Sequence, residues 1–234
     1  MTSNSNDTSR LPSRLVIAID GPAGSGKSTM AKLLAAKLDC VNIDTGAMYR
    51  SVTAKALDMG INVNDTEAVG RVASAISITF SREGGAQKTF ADGADYTTRI
   101  RMPDVNAAVS IVAAQPAVRE KMVALQRKMG KNGRVVMEGR DIGSHVFPDA
   151  DFKFYLVADN SARAVRRVKD LEGQGITASH DEVKANIGER DRLDSQREAS
   201  PLVKAPGAIE IDTTHLSIDE VLAKMLERMF PRLA

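Results

Sequence analysis

Residues 15–28 have the sequence LVIAIDGPAGSGKS, in which an apolar run leads straight into a glycine-rich loop. The run from Leu15 to Ile19 predicts a strand buried on both faces, as in parallel sheets that are covered by helices. The loop at residues 21–28 matches the phosphate-binding pattern GxxxxGK followed by Ser or Thr. Residues 27–38 carry apolar side chains at helical spacing, so the loop joins a strand to a helix, as the pattern requires. The stretch therefore predicts an α/β fold with a triphosphate site.

The glycines of this loop permit the left-handed backbone angles that turn successive N–H groups inward, and the following helix directs its positive dipole end to the same point. We expect Lys27 to reach the β and γ phosphates and the Ser28 hydroxyl to ligate Mg²⁺, with Thr29 as a reserve oxygen. A glycine-rich turn of purely structural use is the alternative interpretation. GTPases, ATP-driven machines and small-molecule kinases share the loop, so it does not identify the reaction.

Composition narrows the classes of protein and of partner. The chain has 234 residues, 43% hydrophobic and 26% charged, which predicts one large domain or one domain with an insertion. A net charge of only +2, with six Phe, three Tyr and no Trp, argues against nucleic acid as a partner. The longest aliphatic run is far too short to span a bilayer, and no charged-then-apolar leader opens the chain, so we expect no membrane contact. The single Cys40 cannot form an internal disulfide, which favours a cytoplasmic location.

The order of predicted elements divides the chain into a tail, a core and an insertion. We expect a frayed tail at residues 1–14, a core formed by residues 15–60 and 130–234, and an inserted subdomain at residues 61–129 that begins with an antiparallel meander. The predicted strands are residues 15–19, 41–43, 76–80, 88–91, 95–100, 134–137, 152–157 and 209–212. The predicted helices are residues 27–38, 47–59, 104–114, 116–129, 160–171, 181–192 and 221–230. Gly60 marks a helix end, and Ser179 with Glu182 and Ser217 with Glu220 form capping-box patterns.

Two polar segments follow predicted strands at the sheet edge where α/β proteins bind ligands. Thr45 lies just after the second strand with Arg50 one helical turn further on, and a hydroxyl with an arginine suits a monophosphate. Residues 139–141 (Gly-Arg-Asp) follow the strand at 134–137 in the same way. Arg50 as a solvated surface residue, and Glu138 or Asp141 as a structural cap, are the alternative interpretations.

Five stretches carry a resemblance to a known family: IDGPAGSGKST (19–29), IDTGAMYR (43–50), EGRDIGSHVFPDADFKFYL (138–156), ERDRLDSQREASPL (189–202) and AIEIDTTHLSIDEV (208–221). In this order they resemble bacterial cytidylate kinases over residues 15–230. The resemblance implies the nucleoside monophosphate kinase fold, a three-layer P-loop architecture with a five-stranded parallel sheet, an enlarged CMP-binding insert and a short lid at about residues 163–180. It also implies transfer of the γ-phosphoryl group of ATP to CMP or dCMP, with Mg²⁺.

Position by position, the resemblance assigns residue roles. It implies that ATP is bound by Gly21, Pro22, Ala23, Gly24, Ser25, Gly26, Lys27, Ser28, Thr29 and Arg163. The CMP phosphate would be held by Thr45, Arg50, Arg140 and Arg197, cytosine by Ser110, Arg119 and Asp141, and the sugar by Arg190 and Asp194. Arg167 would belong to the lid side near ATP, and the implied catalytic residues are Lys27, Arg140, Arg167 and Arg197. The sequence departs from the family pattern at four positions. Thr45 and Ser144 keep a hydroxyl and Glu138 keeps a carboxylate, whereas Gln196 stands where a Thr is frequent.

Physical chemistry supports several of these assignments. A loose phosphoryl-transfer transition state needs alignment and positive charge, which explains the demand for several arginines. Arg190, Asp194 and Arg197 share one helix face if the helix continues that far. Asp141 and Arg119 complement the exocyclic amine and the ring carbonyl of cytosine.

Three alternative functions remain open from the sequence: a kinase for another small acceptor such as a different nucleoside monophosphate or shikimate, a nucleotide-sensing binding protein, and a P-loop regulator that binds RNA. The near-zero net charge disfavours the last of these. We expect a monomer, because no long heptad or exposed apolar stripe is present.

Overall fold

A computed structural model of the chain describes residues 12–83, 86–131, 133–173, 175 and 177–230. Residues 1–11 of the predicted tail lie outside the described residues, as do Gly84 and Gly85 of the predicted turn and Gln174 of the predicted loop. Residues 12–14 precede the first strand without regular secondary structure.

Strands and helices alternate along most of the chain. The strands are β1 (Leu15–Asp20), β2 (Val41–Asp44), β3 (Ile78–Glu83), β4 (Ala86–Ala91), β5 (Ala94–Asp95), β6 (Arg134–Gly139), β7 (Phe152–Val157) and β8 (Ile209–Asp212). The helices are α1 (Lys27–Lys37), α2 (Thr45–Asp58), α3 (Thr66–Ala75), α4 (Pro103–Ala114), α5 (Pro116–Met129), α6 (Asn160–Glu172), α7 (His180–Gln196) and α8 (Ile218–Met229). A 3₁₀ turn at Arg99–Arg101 and a π-helical turn at Ile142–Val146 complete the described elements.

The predicted parallel sheet is confirmed, with five strands in the order β2-β6-β1-β7-β8. β1 lies at its centre, and Ile17 pairs with Val136 of β6 on one side and Phe152 of β7 on the other. Every residue of β1 is buried. Val16 and Ala18 pack with α2, α3 and α5, whereas Ile17 and Ile19 pack with α1 and α8. Helices on both faces explain why this strand has an unbroken apolar sequence rather than an alternating one.

A second, antiparallel sheet has the order β3-β4-β5, so the predicted meander is present. The prediction of a strand over residues 95–100 was wrong, because β5 ends at Asp95. There the Asp95 carboxylate accepts the N–H of Thr97 at 2.9 Å, and this side chain to backbone bond turns the chain away from the ladder. The 3₁₀ turn follows and places Arg101 beside the parallel sheet's ligand-binding edge.

Helix α3 was not predicted, although its start has a sequence signal. The Asp65 side chain accepts the N–H of Ala68 at 2.9 Å, which is an N-cap. Its buried face consists of Ala, Gly and Val residues at helical spacing. The two predicted capping boxes are confirmed at the starts of α7 and α8, and Gly60 follows α2 with φ +69°.

No helix within the described residues is both long and apolar enough to cross a membrane. Cys40 is a free, buried thiol.

Candidate functional site

The phosphate-binding loop, or P-loop, turns sharply between β1 and α1 because Gly21 lacks a side chain. Gly21 has φ +145°, and a Cβ at this position would lie 2.1 Å from the Leu156 carbonyl oxygen of the neighbouring strand β7. Real Cβ atoms do not approach a backbone oxygen so closely, so only glycine lets the chain leave β1 in this direction. Gly24 and Gly26 also have positive φ angles, of +76° and +91°. The loop is therefore held in its shape by the packing of the sheet itself.

Lys27 opens helix α1 and is buried beneath the loop. Its Nζ donates to the Pro22 carbonyl at 2.5 Å and to Ser25 Oγ at 3.3 Å. Burial, followed by the positive charge of Arg140, lowers the pKa of Lys27 well below its usual value. An anion bound in the P-loop would place a negative charge beside this ammonium and offset the cost of its burial. This placement suits the predicted binding of phosphate by Lys27.

Ser28 and Glu138 form the part of the site that suits a divalent cation. Ser28 Oγ donates to Glu138 Oε2 at 2.6 Å, while Glu138 Oε1 is buried and without a hydrogen-bond partner in the described part of the chain. Burial, followed by the nearby charge of Asp44, raises the pKa of Glu138 to about 7. A bound cation would satisfy the orphaned oxygen and favour the ionised form. The described residues contain no group of three or more His, Cys, Asp or Glu placed to hold a metal.

A single cleft of about 950 Å³ joins the P-loop to the side of the sheet edge where the acceptor is predicted to bind, which we call the acceptor side. The predicted site residues that line it are Ala23, Gly24, Ser25, Gly26, Lys27, Ser28, Thr29, Thr45, Arg50, Arg140, Asp141, Arg167, Arg190, Asp194 and Arg197. These residues come from β1, α1, α2, β6, α6 and α7 and their adjoining turns, so the fold gathers side chains that are far apart in sequence. Gly21, Pro22, Ser110, Arg119 and Arg163 were also predicted but do not line the cleft.

The acceptor side of the cleft carries positive charge that nearby carboxylates do not neutralise. Burial, followed by the charge of Arg190, lowers the pKa of Arg50 to about 9. Burial and then Arg140 lower the pKa of Arg190 to about 10, and burial also lowers that of Arg167. These guanidiniums repel one another inside a concave surface, and an anionic ligand would relieve the repulsion.

Hydrogen bonds to neighbouring protein groups hold the two predicted phosphate ligands on α2, Thr45 and Arg50. Thr45 Oγ1 donates to the Glu138 carbonyl at 2.7 Å, which ties the start of α2 to the end of β6. Arg50 Nη1 donates to the Ile100 carbonyl at 3.3 Å and to the Asn106 side chain. The second terminal nitrogen of Arg50 has no hydrogen bond among the described residues, so it remains available to a ligand.

Asp141 is the buried centre of the predicted base-reading group. Its Oδ2 accepts from Arg119, and its Oδ1 lies 3.6 Å from Arg197 Nη2. Arg119 also stacks over the Tyr49 ring, with its guanidinium carbon 5.4 Å from the ring centroid. Arg119 thus holds Asp141 from behind, while Asp141 itself faces the cleft. Ser110 lies on α4 and is half-buried, between the cleft-lining residues Val109 and Ala113.

Asp194 pairs with two arginines, of which helix spacing predicts only Arg197; the other is Arg140 rather than Arg190. Arg140 Nε donates to Asp194 Oδ2 at 2.8 Å, and Arg197 Nη1 lies 3.9 Å from Asp194 Oδ1. α7 ends at Gln196, so Arg197 caps the helix rather than continuing it. No ion pair joins Arg190 to Asp194 within the described residues, although they lie one turn apart.

Arg163, predicted to bind ATP, lies behind the P-loop. Its Nη1 donates to the Ala23 carbonyl at 3.0 Å and to the Asp191 carboxylate, and its Nε donates to the Ala158 carbonyl at 3.0 Å. The side chain is buried, and its Nη1 and Nε atoms bind protein groups.

Sequence reasoning missed several charged residues in or around the site. The carboxylate of Asp20 accepts the N–H groups of Ile142 at 2.8 Å and Gly143 at 2.7 Å, and so fixes the turn after Asp141. An acid at the end of a fully apolar strand was the available signal. Arg101 lines the cleft from the 3₁₀ turn, and Asp191 binds the back of the P-loop; neither has a local sequence signal.

The comparisons with known proteins identify the family. The sequence model of the family described as cytidylate kinase matches residues 17–230. Cytidylate kinase from Bacillus pumilus is 49% identical over 214 residues, which cover 92% of this chain and 95% of that protein. Cytidylate kinase from Geobacillus thermodenitrificans is 47% identical over 214 residues, which cover 92% of this chain and 96% of that protein.

Among solved structures, shikimate kinase from Acinetobacter baumannii in complex with shikimate is 12% identical, with a TM-score of 0.46 over 96% of this chain and 97% of that one. A similarity of this size has no bearing on the acceptor. The family match spans nearly all of the chain, and the curated relatives are matched over nearly their whole length. The chain therefore belongs to the cytidylate kinase family.

Proposed function

We propose that the protein transfers the γ-phosphoryl group of ATP to CMP and dCMP and so forms CDP and dCDP. The observation that carries the proposal is one cleft with the P-loop on one side and a buried cluster of arginines and carboxylates on the other. Donor and acceptor are both highly charged anions, so an enzyme that joins them needs positive charge on both sides of a shared space.

The donor side uses the P-loop and the start of α1. The backbone N–H groups of the loop and the helix N-terminus bind the ATP phosphates, and Lys27 exchanges the Pro22 carbonyl for phosphate oxygen. Membership of this kinase family implies a divalent cation, which we take to be Mg²⁺; bound beside Ser28 and Glu138, it would neutralise charge on the β and γ phosphates.

The acceptor side holds the CMP phosphate with Thr45, Arg50, Arg140 and Arg197. Arg190 and Asp194 contact the sugar, and Ser110, Arg119 and Asp141 recognise cytosine. The carboxylate of Asp141 accepts from the exocyclic amine of cytosine, a group that uracil lacks. Arg119 acts on the base through Asp141, since the two side chains are paired.

In the transfer step an oxygen of the CMP phosphate forms a bond to the γ phosphorus, while the bond from that phosphorus to the β–γ bridging oxygen breaks and ADP leaves. Negative charge spreads over the three equatorial oxygens during this step. Lys27, Arg140, Arg167 and Arg197 are the cations that offset it.

The proposal includes the domain division. Residues 15–60 and 130–234 form the kinase core, and residues 61–129 form the acceptor-binding insert. In support of this division, β3–β5 and α3–α5 all lie between residues 61 and 129. Residues 163–180 act as the lid that keeps water from ATP until CMP is bound. A monomeric state and a cytoplasmic location complete the proposal; the latter is supported by the single cysteine, which requires no oxidising compartment.

A kinase for another small acceptor is the alternative. The test is an ADP-release assay coupled to NADH oxidation, with CMP, dCMP, UMP, AMP, GMP and shikimate as acceptors. The proposal expects CMP and dCMP to drive ADP release at least about tenfold faster than the other acceptors, the discrimination expected of one well-placed hydrogen-bonding group. Preferred turnover of any other acceptor would contradict it.

A further inference from the structure

Ala23, the third residue of the P-loop, is held by side chains from two distant helices. Its N–H donates to Asp191 Oδ1 of α7 at 3.3 Å, and its carbonyl accepts from Arg163 Nη1 of α6 at 3.0 Å. Arg163 and Asp191 are also paired with each other. Both polar groups of one loop residue are therefore bound by one ion pair, which we call the Ala23 clamp.

The Ala23 clamp is largely protected from solvent. The Arg163 side chain is 8% exposed and that of Asp191 20% exposed, so the pair interacts in a largely dry environment. A third bond, from Arg163 Nε to the Ala158 carbonyl, fixes the guanidinium plane. The Cβ that Gly24 lacks would lie 3.1 Å from Arg163 Cβ, so α6 is packed directly against the loop.

Helix α7 contacts the acceptor side as well. Asp194 lies three residues after Asp191, which puts both carboxylates on one side of the helix. Asp191 binds the donor loop at Ala23, whereas Asp194 binds Arg140 of the acceptor cluster at 2.8 Å. A single turn of α7 therefore spans the distance between the two substrate sites.

We propose that Asp191 is a positioning residue that, together with Arg163, sets the P-loop relative to the acceptor cluster and couples the binding of ATP to the binding of CMP. The inference rests on the proposed function, since it concerns those two substrates. ATP bound at the P-loop acts on α7 through the contact of Ala23 with Asp191, and CMP acts on α7 through the contact of Arg140 with Asp194. A ligand at one site therefore changes the position of the contact at the other site. Such coupling is reciprocal: the factor by which ATP tightens CMP binding equals the factor by which CMP tightens ATP binding.

The test measures this factor in binding experiments without turnover. Isothermal titration calorimetry gives the Kd of CMP alone and in the presence of a saturating non-hydrolysable ATP analogue with Mg²⁺. In Asp191→Asn one acceptor oxygen becomes an NH₂ group, so the side chain can no longer accept from both Ala23 and Arg163. The ratio is the Kd of CMP alone divided by the Kd of CMP with the ATP analogue. We expect this ratio to fall at least about fivefold relative to wild type, which is the lower end of typical coupling between sites.

Arg163→Lys is the second test variant, because it keeps the charge but cannot bond Ala23, Ala158 and Asp191 together. It gives the same readout if Asp191→Asn does not fold. Arg192→Gln is the matched control: Arg192 is the next residue of the same helix, exposed and paired with Glu189 at 2.7 Å. The control should keep the wild-type ratio, and circular dichroism should show native helix content in every variant used.

An unchanged Kd ratio in folded Asp191→Asn or Arg163→Lys overturns the inference. So does a wild-type enzyme that turns over CMP but whose two Kd values are equal, and this result leaves the proposed function intact. A wild-type enzyme that does not bind CMP overturns the proposed function, and the inference falls with it. Retained activity with a lost ratio supports positioning rather than direct catalysis.

Discussion

Asp194 accepts a hydrogen bond of 2.8 Å from Nε of Arg140, although 54 positions separate the two residues in the sequence. Burial alone would raise the pKa of Asp194, but the charge and hydrogen bond of Arg140 outweigh it and hold that pKa below its usual value. The carboxylate is therefore ionised at neutral pH. Asp194 lies beside Arg140 and Arg197, and Asp141 lies 3.6 Å from Arg197. Arg140, Arg190 and Arg197 outnumber these two carboxylates, so the cluster keeps positive charge for a phosphate.

The excess charge predicts opposite effects of Arg190→Met on stability and on activity. Arg190 Nε is buried without a hydrogen-bond partner in the described part of the chain, and burial and Arg140 lower the pKa of the side chain. Removing this charge should raise the stability of the ligand-free protein by about 1 kcal/mol, or a few degrees in Tm. The same change should lower kcat/KM for CMP at least about 100-fold, because a charged ligand contact is lost.

Differential scanning fluorimetry without nucleotide and the coupled ADP assay measure the two effects. Arg192→Gln on the exposed side of the same helix should change neither. A lower Tm combined with normal activity would show that Arg190 is a structural residue.

Asp141→Asn should relax the preference for CMP over UMP. The amide presents a donor where the carboxylate presents an acceptor, so it accommodates the O4 carbonyl of uracil. The ratio of kcat/KM values for CMP and UMP should fall by about tenfold to 100-fold. The variant should also be less stable by about 3 kcal/mol, since Asp141 is the buried partner of Arg119.

Asp104→Asn serves as its control, because Asp104 is an exposed acid that is paired with Arg99 at 2.8 Å, as Asp141 is paired with Arg119. This control should keep the wild-type ratio. If Asp141→Asn also keeps it, Asp141 does not read the base.

Lys27→Met should abolish transfer and leave the fold intact. Methionine matches the length and apolar stem of the lysine, and the lost ammonium is a buried charge whose pKa is already lowered. We expect kcat to fall by about 10³-fold or more, as for other groups that stabilise transferring phosphoryl charge. Stopped assays sensitive to slow turnover, with a circular dichroism spectrum of the variant, give the measurement. Normal turnover would refute the role of the P-loop.

Asp20 gives the ligand-free protein a component of stability that decreases as the pH rises. Burial is the largest cause that raises the pKa of Asp20 to about 6 from 3.8. Between these values the folded state binds more protons than the unfolded state, so the free energy of unfolding falls with rising pH. Over the window from about pH 4 to pH 6 the loss should amount to about 3 kcal/mol.

Asp20→Asn removes this titration and leaves the other groups in place. The difference in unfolding free energy between wild type and Asp20→Asn, from urea titrations, should therefore be larger at pH 4 than at pH 7. A difference that is constant with pH, or that grows toward pH 7, would contradict the prediction.

The parts of the fold that the sequence predicted are those with local signals. β1, β6 and β7 are apolar runs, and the P-loop is a contiguous pattern, so each could be recognised within a few residues. Helix α3 is the exception, because it was missed although Asp65 caps its start and its buried residues recur at helical spacing. The strand predicted at residues 95–100 was wrong because the N–H of Thr97 donates to the Asp95 side chain, and this bond competes with pairing to β4.

The candidate site was predictable as a set of residues but not as a set of pairs. Helix spacing placed Asp194 with Arg190 and Arg197, whereas its shortest contact is with Arg140 of the turn after β6. That contact depends on the order of strands in the sheet, which residue spacing does not encode. Arg163 illustrates the same limit, because 140 positions separate it from Ala23, whose carbonyl it binds behind the P-loop.

The close approach of Gly21 to the Leu156 carbonyl has a consequence for genetics. Any side chain there would collide with β7 and prevent assembly of the sheet, so replacement of Gly21 should remove the protein itself rather than its chemistry. A growth-based mutational scan would score Gly21 and Lys27 alike as intolerant. Immunoblotting of each variant would separate them, with Gly21 substitutions depleted from the cell and Lys27 substitutions present at full abundance.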